Sequence, residues 1–274
     1  MSCLLPFLLQ TGGWGGLEYG TVGFTRGQVL GGRWKPLHYF LAQFLFTDAF
    51  ATCGVDGRCL FKNDNPLQSL HGNGTLTLLH VPSGNRTELS TVPLALPRGA
   101  GSSIWRCSDG SQLAEQTPYC QTWTNLLPQY GCNSSGSDCL LLVGITSDSV
   151  SGGGALVQRQ LSYSNPVLLA TPSQMLAHLP AAIVQARVGT TLGPDGSRCA
   201  IELSTDHTAL FVVLTTLAQG RFSSNVLVLT PQLSPLTVDF IGFGRSPVDR
   251  DLLQSSLRVE HVAMYARRDD GPLN

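Results

Sequence analysis

The spacing of short β-type runs constrains this chain more than any other feature. Residues 182–188 alternate, with Val184, Ala186 and Val188 on one side and Gln185 and Arg187 on the other. That is the period of two of a half-buried strand. Further β-rich runs follow at 199–203, 209–214, 225–229, 236–240 and 256–264. Short strands with turns at such intervals describe a β-sandwich rather than a helical or βαβ fold. Upstream, residues 75–81, 139–146 and 156–163 read the same way, bounded by Gly, Ser or Asn. Between the two groups, residues 165–180 carry Pro166, Pro172 and Pro180 and read as a joint. One helix is expected, over residues 33–46. There Trp34, Leu37, His38, Leu41, Phe44 and Leu45 form an apolar stripe, and Pro36 stands near the start.

Charge narrows the partners. Charged residues make up 13% of the chain and the net charge is -1, with no basic block to meet nucleic acid or an anionic membrane. The longest apolar run, 209–218, is far short of the roughly 20 residues a bilayer span needs. Nucleic acid and membrane are therefore not expected partners.

Eight cysteines occur without a Cys-x-x-Cys pair, so neither a zinc ribbon nor a thioredoxin-type site is expected. No metal or cofactor is expected either. Three sequons, at Asn73, Asn85 and Asn133, are candidate glycosylation sites. With the clustered cysteines they point to an oxidising, secretory compartment. Residues 1–10 make a poor signal peptide, having no positive start and no clear cleavage site; the expectation is that further chain precedes them. Cys107, Cys120, Cys132 and Cys139 allow three pairings among themselves. Cys53 and Cys59 are placed to close a tight loop, and Cys199, inside a strand, is expected to be buried and free.

A resemblance now enters on specific residues. The string Trp14-Gly15-Gly16-Leu17-Glu18-Tyr19-Gly20, resumed at Gly32-Arg33-Trp34-Lys35-Pro36-Leu37-His38-Tyr39-Phe40, resembles the end of the catalytic barrel in β-mannosidases of glycoside hydrolase family 2. Gly220-Arg221-Phe222-Ser223-Ser224-Asn225 is similar to a string in the last sandwich domain of that family, although Ser224 stands where the family carries Asp. Cys132 to Cys139, enclosing the Asn133 sequon, is similar to a Cys-flanked sequon of the lysosomal type. Residues 1–13 and 21–31 depart from the family pattern and read as an unusual splice form or read-through.

The resemblance implies a mainly β chain: the end of a (β/α)8 barrel, with one helix, followed by two immunoglobulin-like β-sandwich domains. Residues 1–46 would be the barrel remnant, 47–165 a Cys-rich sandwich and 178–274 a C-terminal sandwich. It also implies the C-terminal part of a retaining exoglycosidase that removes terminal β-D-mannose from oligosaccharides of N-linked glycoproteins in the lysosome. That chemistry uses two carboxyl groups about 5–5.5 Å apart. The family's two glutamates lie upstream of the matched region, so no catalytic residue is assigned. The implied partners are the remainder of the polypeptide, with its barrel, and a mannosyl oligosaccharide. Trp14, at the barrel rim, is the one candidate substrate contact. Glu18 reads as a partner for Arg33 or Lys35. Trp34, His38, Trp105 and Trp123 read as packing, and His207 and His261 as surface or satisfied core. For the disulfides, the resemblance suggests a long bridge from Cys107 to the Cys132 neighbourhood, worth about 3 kcal/mol by chain entropy, with Cys139 in a short local loop. The alternative class is a secreted Ig-like binding module or a carbohydrate-binding lectin without activity.

Overall fold

A computed structural model describes residues 47–54, 57–99, 101–106, 123–149, 162–192, 196–243 and 247–266. Trp14, Glu18, Trp34, His38, the expected helix over 33–46, Cys107 and Cys120 lie outside the described residues. By contacts the chain divides into Phe44–Pro180 and a second unit that includes Ala181–Asn274. Among the described residues each unit holds seven strands in two antiparallel sheets, one of three strands and one of four.

The first sandwich opens with β1 (Ala49–Cys53), β2 (Arg58–Asn63) and, later, β5 (Gly101–Arg106), in the order β1-β2-β5. Facing it are β3 (Leu70–His80), β4 (Arg86–Leu96), β6 (Cys139–Ser149) and β7 (Ser162–Leu168), in the order β4-β3-β6-β7. The period of two sorts their side chains. Leu76 and Leu78 of β3 and Leu141, Val143 and Ile145 of β6 meet Ala51 and Phe61 of the smaller sheet in one apolar core. Phe61 is fully buried, and Gly74 makes room for it. A Cβ on Gly74 would stand 2.6 Å from the Phe61 ring. At the sandwich edge the Asn165 carboxamide donates to the Ala51 carbonyl across the sheets, at 2.9 Å.

Two expectations need correction here. Residues 165–180 are not a joint. Residues 165–168 belong to β7, paired with β6 from Leu140↔Leu168 to Thr146↔Ser162, and α2 (Pro172–Leu176) follows inside the same unit. Proline misled because it usually breaks a strand, yet an edge strand tolerates it where no ladder N–H is needed. Pro166 lies on β7 and Pro93 on β4, the two edges of this sheet. The strands β1, β2, β4 and β5 were not anticipated at all.

The second sandwich pairs β8 (Val184–Leu192), β9 (Arg198–Thr205), β13 (Leu236–Gly242) and β11 (Gly220–Phe222), in the order β11-β13-β9-β8. Opposite lie β12 (Leu227–Leu229), β10 (Ala209–Thr215) and β14 (Arg258–Glu260), with β10 central. Ile201, Leu203, Val238 and Phe240 of the larger sheet pack on Val212, Leu214 and Leu229 of the smaller. The run at 256–264 is not one strand. It comprises the end of helix α3 (Arg250–Ser256), three residues of β14 and the start of the turn α4 (Ala263–Ala266). Helix α3 begins where Asp249 accepts the Leu252 N–H, an N-cap. Its last residue, Ser256, is buried; its hydroxyl lies 2.9 Å from that of Thr216 and accepts the Leu217 N–H. Among the described residues no helix is long and apolar enough to cross a membrane.

Candidate functional site

One end of the first sandwich brings together several of the residues singled out by sequence. Cys53 is bonded to Cys59, and Cys132 to Cys139. The long bridge to Cys132 is thereby corrected: Cys132 is spent on Cys139, at a sequence separation of 7. Closing so short a loop costs little chain entropy and competes well with a distant partner. Between the two bridges sits α1 (Trp123–Leu126), continued by a 3-10 turn, Leu127–Tyr130. Trp123 is 5% exposed and its indole N–H donates to the Gly54 carbonyl at 2.9 Å. It is a wedge between loops and offers no open face for a sugar ring.

A cleft of about 180 Å³ opens beside it, lined in part by Cys53, Gly54, Trp123, Leu127, Ser134 and Ser135. Small-molecule sites run to roughly 300–1,000 Å³, so this cleft is undersized for a saccharide. Cys132, Asp138 and Cys139 bring three ligand-type atoms within 4.8 Å. Two of them are bridge sulfurs rather than thiolates, and a metal needs thiolates. The Asp138 carboxylate is occupied by the Asn133 N–H at 2.9 and 3.1 Å.

The three sequons occupy different settings. Asn85 is exposed at the β3–β4 turn; its carbonyl accepts the His80 N–H and its own N–H donates to the Ser83 hydroxyl. Asn73 lies in the middle of the central strand β3, half-buried, opposite Pro93 and Thr146. Asn133 lies inside the Cys132–Cys139 loop. Its Nδ2 donates to the Ser137 hydroxyl at 2.8 Å, and its Oδ1 accepts the Ser137 N–H and the Ser135 hydroxyl, at 3.0 and 2.8 Å.

In the second sandwich the Gly220–Asn225 string acquires a physical account, and it is a structural one. A Cβ on Gly220 would lie 2.5 Å from the Ile241 carbonyl oxygen and from the Phe240 ring. Phe222 meets Phe240 edge to face, with centroids 5.2 Å apart. Ser223 exchanges hydrogen bonds with the Asp239 backbone. Asn225 is 1% exposed; its carboxamide accepts the Leu214 N–H and donates to the Leu214 carbonyl, both at 2.8 Å. One side chain thus stands in for a strand residue beside β10. It also accepts the N–H of Val226, whose φ of 57° is a strained value for a β-branched residue.

Cys199 is buried and free, and burial pushes its thiol upward. His207 is exposed in a bend beside Asp206, 3.3 Å away. His261 is neither surface nor satisfied core. It is 6% exposed, and its Nδ1 has no hydrogen-bond partner among the described residues. Burial holds its imidazole below the ordinary value, partly opposed by the Ala182 backbone. Sequence periodicity could not find this, because a polar atom's partner is a property of the tertiary fold.

Comparison with known proteins gives one family match and several structural likenesses. The solved structure of a β-D-mannosidase from Dictyoglomus thermophilum is 17% identical, with a TM-score of 0.48, over 83% of this chain and 23% of that one. The exo-chitosanase CsxA of Amycolatopsis orientalis is 13% identical, with a TM-score of 0.41, over 78% of this chain and 25% of that one. The chain therefore spans about a quarter of the length of either. No curated protein matches it. Residues 183–264, from just before β8 into α4, match the Ig_mannosidase family model, an Ig-fold domain. The second sandwich is thus an Ig-fold domain similar to that family.

Proposed function

We propose that this chain is the C-terminal portion of a β-mannosidase, supplying the Ig-like domains that support a catalytic barrel located elsewhere in the polypeptide. The observation that carries this reading is the Ig_mannosidase match over residues 183–264. The barrel-end string at Trp14–Gly20 and Gly32–Phe40 supports it from the other end of the chain. The described acidic groups fit an accessory role, since several hold the scaffold. Asp249 caps α3, Asp138 anchors its loop, and Asp48 accepts from the Asn65 carboxamide. On this reading the chain passes through the secretory route to the lysosome, its substrate is a mannosyl oligosaccharide, and Trp14 contacts the sugar.

Two measurements test it. The isolated chain should release no nitrophenol from an aryl β-mannoside above the blank. Co-expressed with a family barrel lacking its own sandwich domains, it should raise that barrel's soluble yield and turnover. No gain in either would sink the proposal. Specific binding on a glycan array by the isolated chain, without such a gain, would favour the lectin reading instead.

A further inference from the structure

The Asn133 sequon is enclosed by the bridge that flanks it. N-glycosylation requires the carboxamide nitrogen to attack the anomeric carbon of a polyisoprenyl diphosphate-linked oligosaccharide. The N–C1 bond forms, the C1–O bond to the diphosphate breaks, the diphosphate departs and the nitrogen gives up a proton. The hydroxyl two residues on must also be free to be read. In the closed loop both groups are engaged in hydrogen bonds, with Asn133 half-buried and Ser135 at the surface. Nδ2 is held by the hydroxyl of Ser137, itself 5% exposed. The Ser135 hydroxyl donates to Asn133 Oδ1 at 2.8 Å and lies 3.1 Å from Ser137 Oγ. The Asn133 N–H is fixed on Asp138, and the Gly136 N–H on the Asn133 carbonyl. Asn85, by contrast, is exposed on a turn, and its carboxamide makes no hydrogen bond among the described residues.

We propose that Asn133 is a conditional glycosylation site, an acceptor only while the Cys132–Cys139 bridge is open. This rests on the secretory part of the reading above. Bridge closure and glycan transfer are then rival fates of one nascent loop. The bridge, once made, withdraws Asn133 from the transferase, while Asn85 is modified either way.

The test expresses the full chain in mammalian cells behind a cleavable secretion leader, so that entry does not depend on the native route. Occupancy of each sequon is read by glycopeptide mass spectrometry after enzymatic deglycosylation in heavy-oxygen water. Three forms are compared: wild type, Cys132→Ser/Cys139→Ser, and Ser137→Ala, which keeps the bridge and removes the acceptor of Nδ2. The expected result is high occupancy of Asn85 in all forms and low occupancy of Asn133 in wild type. Roughly tenfold higher occupancy of Asn133 is expected in the double variant, the scale that a few lost hydrogen bonds allow, with an intermediate value for Ser137→Ala. Because transfer precedes secretion, cell lysate is analysed too, so a double variant that fails to leave the cell still reports. Wild-type chain pulsed with dithiothreitol should match the double variant. Equal occupancy of Asn133 in all forms, high or nil, overturns the proposal, and so does an unmodified Asn85. Failure of the natural full-length polypeptide, expressed without an added leader, to acquire any glycan would instead sink the secretory reading and leave the loop chemistry standing.

Discussion

The two sandwiches share a plan and differ in what fastens it. Each has three strands over four and one apolar core drawn from both sheets. The first is stapled by two cystines at one end, each closing a local loop. The second keeps its one described cysteine buried and unbonded, and it fastens its central strand β10 with a carboxamide. The difference teaches that a covalent clasp and a buried amide can both fasten a strand to its surroundings, the clasp between paired or looped residues and the amide where β10 has no neighbour to pair. The solutions fail differently, one to reductant and the other to any change in the pattern of donors and acceptors.

Substitutions can break this comparison where it is tightest. Phe61→Ala in the first core and Phe240→Ala in the second should each cost about 4 kcal/mol, since both rings are fully buried. Chemical denaturation that shows one much cheaper than the other would mean the cores are not equivalent. Asn225→Ala should cost roughly 3 kcal/mol, because it strands a buried N–H and C=O on Leu214. Hydrogen exchange should localise the loss to β10 and leave β3 and β6 protected. Cys132→Ser/Cys139→Ser should cost about 2 kcal/mol by the chain-entropy account of a short loop. Reductant, which opens the Cys53–Cys59 bridge as well, should cost wild type more than this, with the loss confined to the first sandwich by exchange; loss in β9 and β13 instead would erase the distinction.

The smallest effect is set by pH. The folded His261 imidazole titrates below its ordinary value of 6.5, so the unfolded chain binds the extra proton. Stability therefore falls as pH drops from about 6.5 toward the folded value, and it is fully present above that window. Asp206, held below the ordinary carboxylate range chiefly by the Ile183 N–H, adds a loss only at lower pH, below about 4. A thermal midpoint measured from pH 7 to 5 should decline in wild type and decline less in His261→Gln. Equal slopes would show that this imidazole is not the responsible group.

The second sandwich was more legible than the first, for physical reasons. Its strands alternate cleanly, as Val184, Ala186 and Val188 do, and its Gly220–Asn225 string is packed so tightly that few other residues would serve. The first sandwich hides its edges. Pro166 read as part of a joint because strand propensity takes no account of which strand ends up outermost. The α3 cap at Asp249 was a readable signal, yet residues 256–264 read as one strand although only Arg258–Glu260 of them form β14. The Cys53–Cys59 loop could be anticipated from separation alone. The Cys132–Cys139 choice could not, since three pairings satisfied the same four residues. The orphan Nδ1 of His261 was out of reach, as a count of partners exists only once distant strands have met.

A proline at each rim of the β4-β3-β6-β7 sheet has a consequence for growth as well as for folding. A foreign strand docking on either side would find a pyrrolidine ring where a donor belongs, and the zipper of amides would stall there. The larger sheet of the first sandwich is thus poorly suited to seed fibrils, even if β7 is bared while its bridges are still forming.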